Sequence, residues 1–329
     1  MSTSLGKSIF EIHLHKVEKL FKEASKQANP ALWLFLHDLR TPMFMLEAVA
    51  RVYEKVYDSK DFAKRKEQFK QLEDTLGSID YYYFFSKELS QNKKIKSEII
   101  DYLNAQTNAK LKELNKILKE ENWLNGKRLK KNIENLDKTE WMTQEDEIEA
   151  IREVYVKSIV KLEEFIEETT FTFDHVETDV HELRRRLRWL SIYPQALQGV
   201  FQYSPSTSKP SEKLKKYMTA NIVKSPYNVL PNTLKVEKPI LLEKNYFLAL
   251  SWTISELGIL KDEGLRVLAV KEAIQNISML KDDKAFVEAY KLLEFAMLFT
   301  SIWSVIFAIP VLNTELRSKF ELNKFLKLI

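Results

Sequence analysis

The sequence predicts an all-α protein arranged as two pseudo-symmetric antiparallel helical bundles, a duplicated helical unit. Three observations carry this. Apolar residues recur at i, i+3, i+4, i+7 along most of the chain, which is the period of one buried helix face. Glycine supplies only 6 of 329 residues, against roughly 7% in average usage. Finally, one motif pair recurs in the same order in each half of the chain.

Helical period is read over 8–28, 30–57, 61–90, 93–120, 143–168, 177–202, 241–261, 265–279, 283–309 and 313–327. In the first of these, Phe10, His13, Leu14, Val17, Leu20 and Phe21 share one face. Asn29-Pro30 opens the second, since proline is tolerated in a first turn. Within it Pro42 cannot donate to the carbonyl of Asp38, so a kink near His37 is expected. In 143–168 the stripe is Ile148, Ile151, Val154, Tyr155, Ile159, Leu162, Phe165 and Ile166. The acidic run Glu145, Asp146, Glu147 and Glu149 suits the positive end of that helix dipole. A break near 122–142, around Asn125-Gly126, divides the chain into 1–125 and 126–329. The segment 203–240 holds five of the nine prolines and reads as a long loop. Over 204–244 it carries eight Lys and three Glu.

Composition excludes several function classes. The six glycines are scattered, so no glycine-rich phosphate cradle of a dinucleotide fold, P-loop or kinase can form. The absence of cysteine removes thiolate zinc sites, disulfides and cysteine nucleophiles, and fits a reducing, cytoplasmic compartment. The N-terminus is amphipathic from its start and lacks the apolar core of a signal peptide. Residues 295–312 carry no charge over 18 positions, at the short edge of a membrane span. A helix buried on all sides is the expectation there and a membrane anchor the alternative. No metal or cofactor is expected: His13 and His15 point about 200° apart on a helix, and His175 lacks carboxylate neighbours. Lys127, Arg128, Lys130 and Lys131 read as a solvated face and not as a nucleic-acid patch.

The total charge is only +4, but it is clustered. The densest cluster is His181-Glu-Leu-Arg-Arg-Arg-Leu-Arg188. On a helix His181, Arg184 and Arg188 share a face, with Arg185 beside them, while Leu183, Leu187 and Leu190 form the apolar stripe. Guanidinium forks suit phosphate oxygens. A solvated face neutralised by Glu177 or by other acids is the alternative. The first half carries His37-Asp-Leu-Arg40, with Arg51 further along the same face. After the first motif comes Leu76-Gly77-Ser-Ile-Asp80, and after the second Leu257-Gly258-Ile-Leu-Lys-Asp262. That paired order suggests duplication.

These paired His-x-x-Arg helices and Leu-Gly segments resemble the CHAD family, the conserved-histidine α-helical domain. The resemblance implies two helical bundles flanking a basic groove that binds inorganic polyphosphate, without catalysis. It implies ligand-binding roles for His37, Arg40, His181, Arg184 and Arg188. The charge clusters add Arg185 beside them, Arg51 on the first-half face, and Lys213, Lys215 and Lys216 of the long loop, which would close over the ligand. The sequence departs from the family where Thr41–Glu47 replaces a basic row, and at Ser191. Separately, His37-Asp-Leu-Arg-Thr-Pro-Met43 resembles the H-box of sensor histidine kinases, which implies a phosphoacceptor at His37 in a phosphorelay module. A non-catalytic helical scaffold is the third expectation.

Overall fold

The computed structural model describes residues 4–168, 180–205 and 209–293. Among them the fold is all-α apart from one sheet of two short strands. The apolar stretch 295–312, the helix expected at 313–327 and His175 lie outside the described residues. No described helix is long and apolar enough to cross a membrane.

The described chain forms two compact units: residues 4–141 with 265–293, and residues 142–264. The division expected at 125/126 thus differs from the structural one, because 126 lies inside the first unit and that unit also recovers a later segment.

In the first unit α1 (Leu5–Ala24), α2 (Pro30–Leu36), α3 (Arg40–Tyr57), α4 (Lys60–Leu89), α5 (Ser97–Glu120) and α6 (Lys127–Asp137) follow in order. The α1 stripe is buried as its period requires, through Phe10, Leu14, Val17 and Phe21. Phe10, Tyr53, Phe62 and Trp141 form one aromatic cluster with ring centres 5.6–6.0 Å apart. The helix expected over 30–57 is two helices. Asp38, at φ 51°, turns the chain left-handed between them. The missing N–H of Pro42 makes this break cheap, since no bond to the Asp38 carbonyl is given up. Asp38 Oδ1 then accepts from the Thr41 amide (3.3 Å) and hydroxyl (2.9 Å), capping α3. The expected break at 122–142 contains α6, which begins directly after Gly126 at φ 73°.

The second unit holds α7 (Gln144–Glu168), α8 (His181–Ala196), the strands β1 (Phe201–Tyr203) and β2 (Ile240–Leu242), the short helices α9 (Glu212–Lys215) and α10 (Ala220–Val223), and the start of α11 (Lys244–Ser278). Pro194 sits within α8 and cannot donate to the carbonyl of Leu190. The buried Tyr155 hydroxyl of α7 donates to that carbonyl at 3.0 Å instead. The long loop returns to its start: β1 and β2 pair in parallel, Phe201 opposite Ile240. Gln195, Gln202 and Tyr203 pin it by donating to the carbonyls of Tyr227, Pro231 and Asn228 at 2.7, 3.0 and 2.8 Å. Gly199, at φ 123°, lies where a Cβ would strike the Leu234 carbonyl. The helices expected at 241–261 and 265–279 are one, α11, which passes through Gly258 and Gly264 without interruption. A final helix, α12 (Asp282–Leu292), follows in the first unit.

Candidate functional site

Each unit contains one His-x-x-Arg motif, and in each the arginine lies against the glycine of the following Leu-Gly segment. In the first unit a Cβ on Gly77 would fall 2.7 Å from Arg40 Nη2. In the second, a Cβ on Gly258 would fall 3.2 Å from Arg184 Nη2. A glycine in each facing helix therefore leaves room for a guanidinium to lie flat on the backbone.

The two arginines differ in what they meet there. Arg40 donates from Nε to Glu73 and from Nη1 to Asp80, both at 2.9 Å. These acids stand one turn either side of Gly77 on α4. Arg51 pairs with Glu47 at 2.7 Å. Glu47 is buried, and burial raises its carboxyl pKa while the Arg51 hydrogen bond opposes the rise. Lys70 pairs with Asp74. Arg40, Arg51 and Lys70 thus face Glu47, Glu73, Asp74 and Asp80, a network with an excess of negative charge. Neighbouring carboxylates thus engage both Arg40 and Arg51, for which the sequence predicts ligand-binding charge.

His37 is exposed just beyond the C-terminus of α2. Its ring stacks on Trp33 with centres 3.8 Å apart, and Nδ1 lies 2.8 Å from the Trp33 carbonyl oxygen. A carbonyl accepts only, so Nδ1 carries the proton in the neutral ring and Nε2 carries the lone pair. The neighbouring acid, Asp38, bonds Thr41. His37 therefore stands at a helix break, in place of the mid-helix position the H-box resemblance implies.

In the second unit α8 sets Leu183, Leu187 and Leu190 inward, as the period requires. His181 is exposed, and Arg184 and Arg188 are half-buried on the face it opens. Arg184 Nε donates to the Ile254 carbonyl at 3.3 Å, and among the described residues no carboxylate lies within ion-pair distance of it. Burial lowers its pKa, and the more distant Asp262 partly offsets this. Among the described residues Glu182 is the carboxylate that neutralises this helix, and Glu177 lies outside them. It accepts from Arg185 at 2.7 Å and from Arg186 at 2.7 Å. Arg186 also covers the Phe165 ring at 4.4 Å. Arg185, expected as a ligand-binding cation, is thus engaged by Glu182.

Lys215 pairs with Glu212 one turn away. Lys216 Nζ covers the Tyr217 ring at 4.8 Å. The side chain of Lys213 lies outside the described part of the chain. Among the described residues no three His, Cys, Asp or Glu side chains gather as metal ligands. The sequence did not disclose Glu73 or Glu182 as the compensating acids, although the i+4 spacing of Glu73 to Gly77 and the i+3 and i+4 spacings of Glu182 to Arg185 and Arg186 were available. Compared with protein families, with curated proteins and with solved structures, the chain matches none.

Proposed function

We propose that the second unit binds an extended polyanion, with inorganic polyphosphate as the chemistry that fits best, through the α8 face carrying Arg184 and Arg188 with His181. One observation carries the reading. Arg184 is half-buried without a carboxylate partner among the described residues, whereas its counterpart Arg40 has two. A desolvated guanidinium whose one hydrogen-bond acceptor among the described residues is a carbonyl is under-compensated, and phosphate oxygens would supply the missing charge. The like seating of Arg40 on Gly77 and Arg184 on Gly258 supports a duplicated origin in which one copy kept an open cation and the other acquired internal acids.

Binding by counterion release falls steeply with salt. Wild-type protein should retain long-chain polyphosphate at low ionic strength and lose it as salt rises. Changing Arg184 and Arg188 together to Glu should abolish retention, and Arg40→Gln should leave it intact. Equal retention by the wild type and the α8 variant would sink the proposal.

A second reading rests on a different atom. His37 presents an accessible Nε2 lone pair with its ring fixed by Trp33, the arrangement a phosphoacceptor histidine needs. It requires acid-labile phosphate on the protein after incubation with a phosphorylated receiver partner, and no such label in His37→Ala.

A further inference from the structure

A recess in the first unit is built from two helices with matching polar stripes. From α4 come Asp61, Lys64 and Arg65, and from α6 come Arg128, Lys131 and Asn132, each set at i, i+3, i+4. Arg65 forms its floor and is only 4% exposed. Its Nη1 donates to the Asn132 carbonyl at 2.9 Å and lies 3.4 Å from Asn132 Oδ1. Its guanidinium lies over the Phe62 ring at 5.6 Å, Nε and Nη2 have no hydrogen-bond partner among the described residues, and no carboxylate there reaches ion-pair distance. Lys64 and Lys131 stand exposed at the rim, likewise without an acid within pairing distance among the described residues. Arg128 is held by Glu121, so it adds little charge. Asp61 is the one carboxylate lining the recess.

Three cations against one lining carboxylate leave the recess with two positive charges in excess. Burying an arginine without a paired carboxylate is costly unless an anion completes the site. We propose that this recess binds a doubly charged tetrahedral oxyanion, either inorganic phosphate or the phosphoryl group of a monoester, with Arg65 as the floor and Lys64 and Lys131 as the rim. This site is separate from α8, and its occupancy does not depend on polyphosphate binding there. Arg65 holds α4 to α6 through Asn132, so a bound anion would also draw the rim lysines together and tighten that contact.

The test is calorimetric titration of the full chain with inorganic phosphate and, in a second arm, with phenyl phosphate. The wild type should bind one equivalent. Binding of phosphate alone assigns a free anion, and binding of both assigns a monoester-tolerant site. In Lys64→Glu/Lys131→Glu, affinity should fall at least tenfold. Lys93→Glu/Lys119→Glu, which changes net charge equally at exposed positions outside the recess, should bind as wild type does. The variant Arg184→Glu/Arg188→Glu should also retain phosphate, and the recess variant should retain polyphosphate, so each proposal can fail without the other. Should the recess variant lose its helical circular dichroism, Lys64→Gln/Lys131→Gln reads the same loss without charge reversal. No heat with either ligand in the wild type overturns the site. So does binding that survives the recess variant, or that the control charge change weakens equally.

Discussion

At the scale of single residues, the glycines of the Leu-Gly segments can be tested directly. Replacing a mid-helix glycine by alanine normally gains about 1 kcal/mol. At Gly77 the new Cβ would sit 2.7 Å from Arg40 Nη2, forcing the guanidinium off Glu73 and Asp80. We therefore expect Gly77→Ala to be neutral or destabilising in the wild type and stabilising by about 1 kcal/mol in Arg40→Ala. A double-mutant cycle in urea measures the difference, and additive effects would show that the contact is absent. Glu47 supplies a second test. Its carboxyl titrates above the ordinary range because it is buried, so the folded state holds its proton more tightly than the unfolded state. The sign follows: its contribution is fully present below about pH 4.5 and is lost as pH rises through the raised folded value. Stability of the wild type should thus fall across this window by more than that of Glu47→Gln, as urea midpoints taken from pH 4 to pH 7 would reveal.

At the scale of elements, the helix ends show what the sequence could and could not disclose. Pro42 was legible as a missing donor and Pro194 lacks the same donor, but the consequence at each depended on the neighbours. At Pro42 the freed carbonyl belongs to an exposed residue, so the chain could break there, and Asp38 could take the left-handed turn and cap α3. At Pro194 the freed carbonyl of Leu190 receives the Tyr155 hydroxyl, and α8 continues to Ala196. That partner is 35 residues away in sequence, and no local pattern announces it. The same limit hid α6, whose strongly charged sequence reads as a solvated break until Leu129 and Leu136 are seen buried. The all-α class and the α1 and α7 stripes were legible because period alone decides them. The charge state of the candidate site was not, because the acids that compensate Arg40 lie on another helix, 33 and 40 residues on. Tyr155→Phe should cost about 1–3 kcal/mol, the desolvation penalty of an unpaired buried carbonyl. Asp38→Ala should cost about 1 kcal/mol through the lost cap, with a further loss from the left-handed backbone, and Asp38→Gly should cost less. Urea denaturation orders these variants, and a cheaper Ala than Gly at position 38 would contradict the observed turn.

At the scale of the whole molecule, the chain leaves the first unit after residue 141 and returns at 265. Such a return must be held by contacts strong enough to offset the entropy of closing a long excursion, although that cost grows only logarithmically with length. The contacts are concentrated on the later half of α11. Tyr82 of α4 and Tyr102 of α5 both donate to Glu272 Oε1, each at 2.9 Å, and Arg266 pairs with Glu88 at 2.6 Å. One carboxylate thus fastens two helices that are 170 and 190 residues away from it in sequence. Burial and the Glu272 charge push the Tyr82 phenol up to about 12, from an ordinary value of 10.0. Its stabilising contribution is therefore complete below pH 10 and is lost as pH rises toward 12, because the folded state keeps a proton that the unfolded state releases. Glu272→Leu leaves both phenols without their acceptor and should cost about 2–4 kcal/mol, since hydrogen bonds to a charged group are worth roughly 1.5–3 each and these are only partly desolvated. The loss should be local before it is global. Amide exchange should accelerate first over 265–278 while α1 and α3, neither of which bonds Glu272, keep their protection. Glu272→Gln retains an acceptor and should lie between the two, with a weaker alkaline decline than the wild type. Uniform acceleration across the first unit would instead mean that the returning segment is an integral part of that unit's cooperative core.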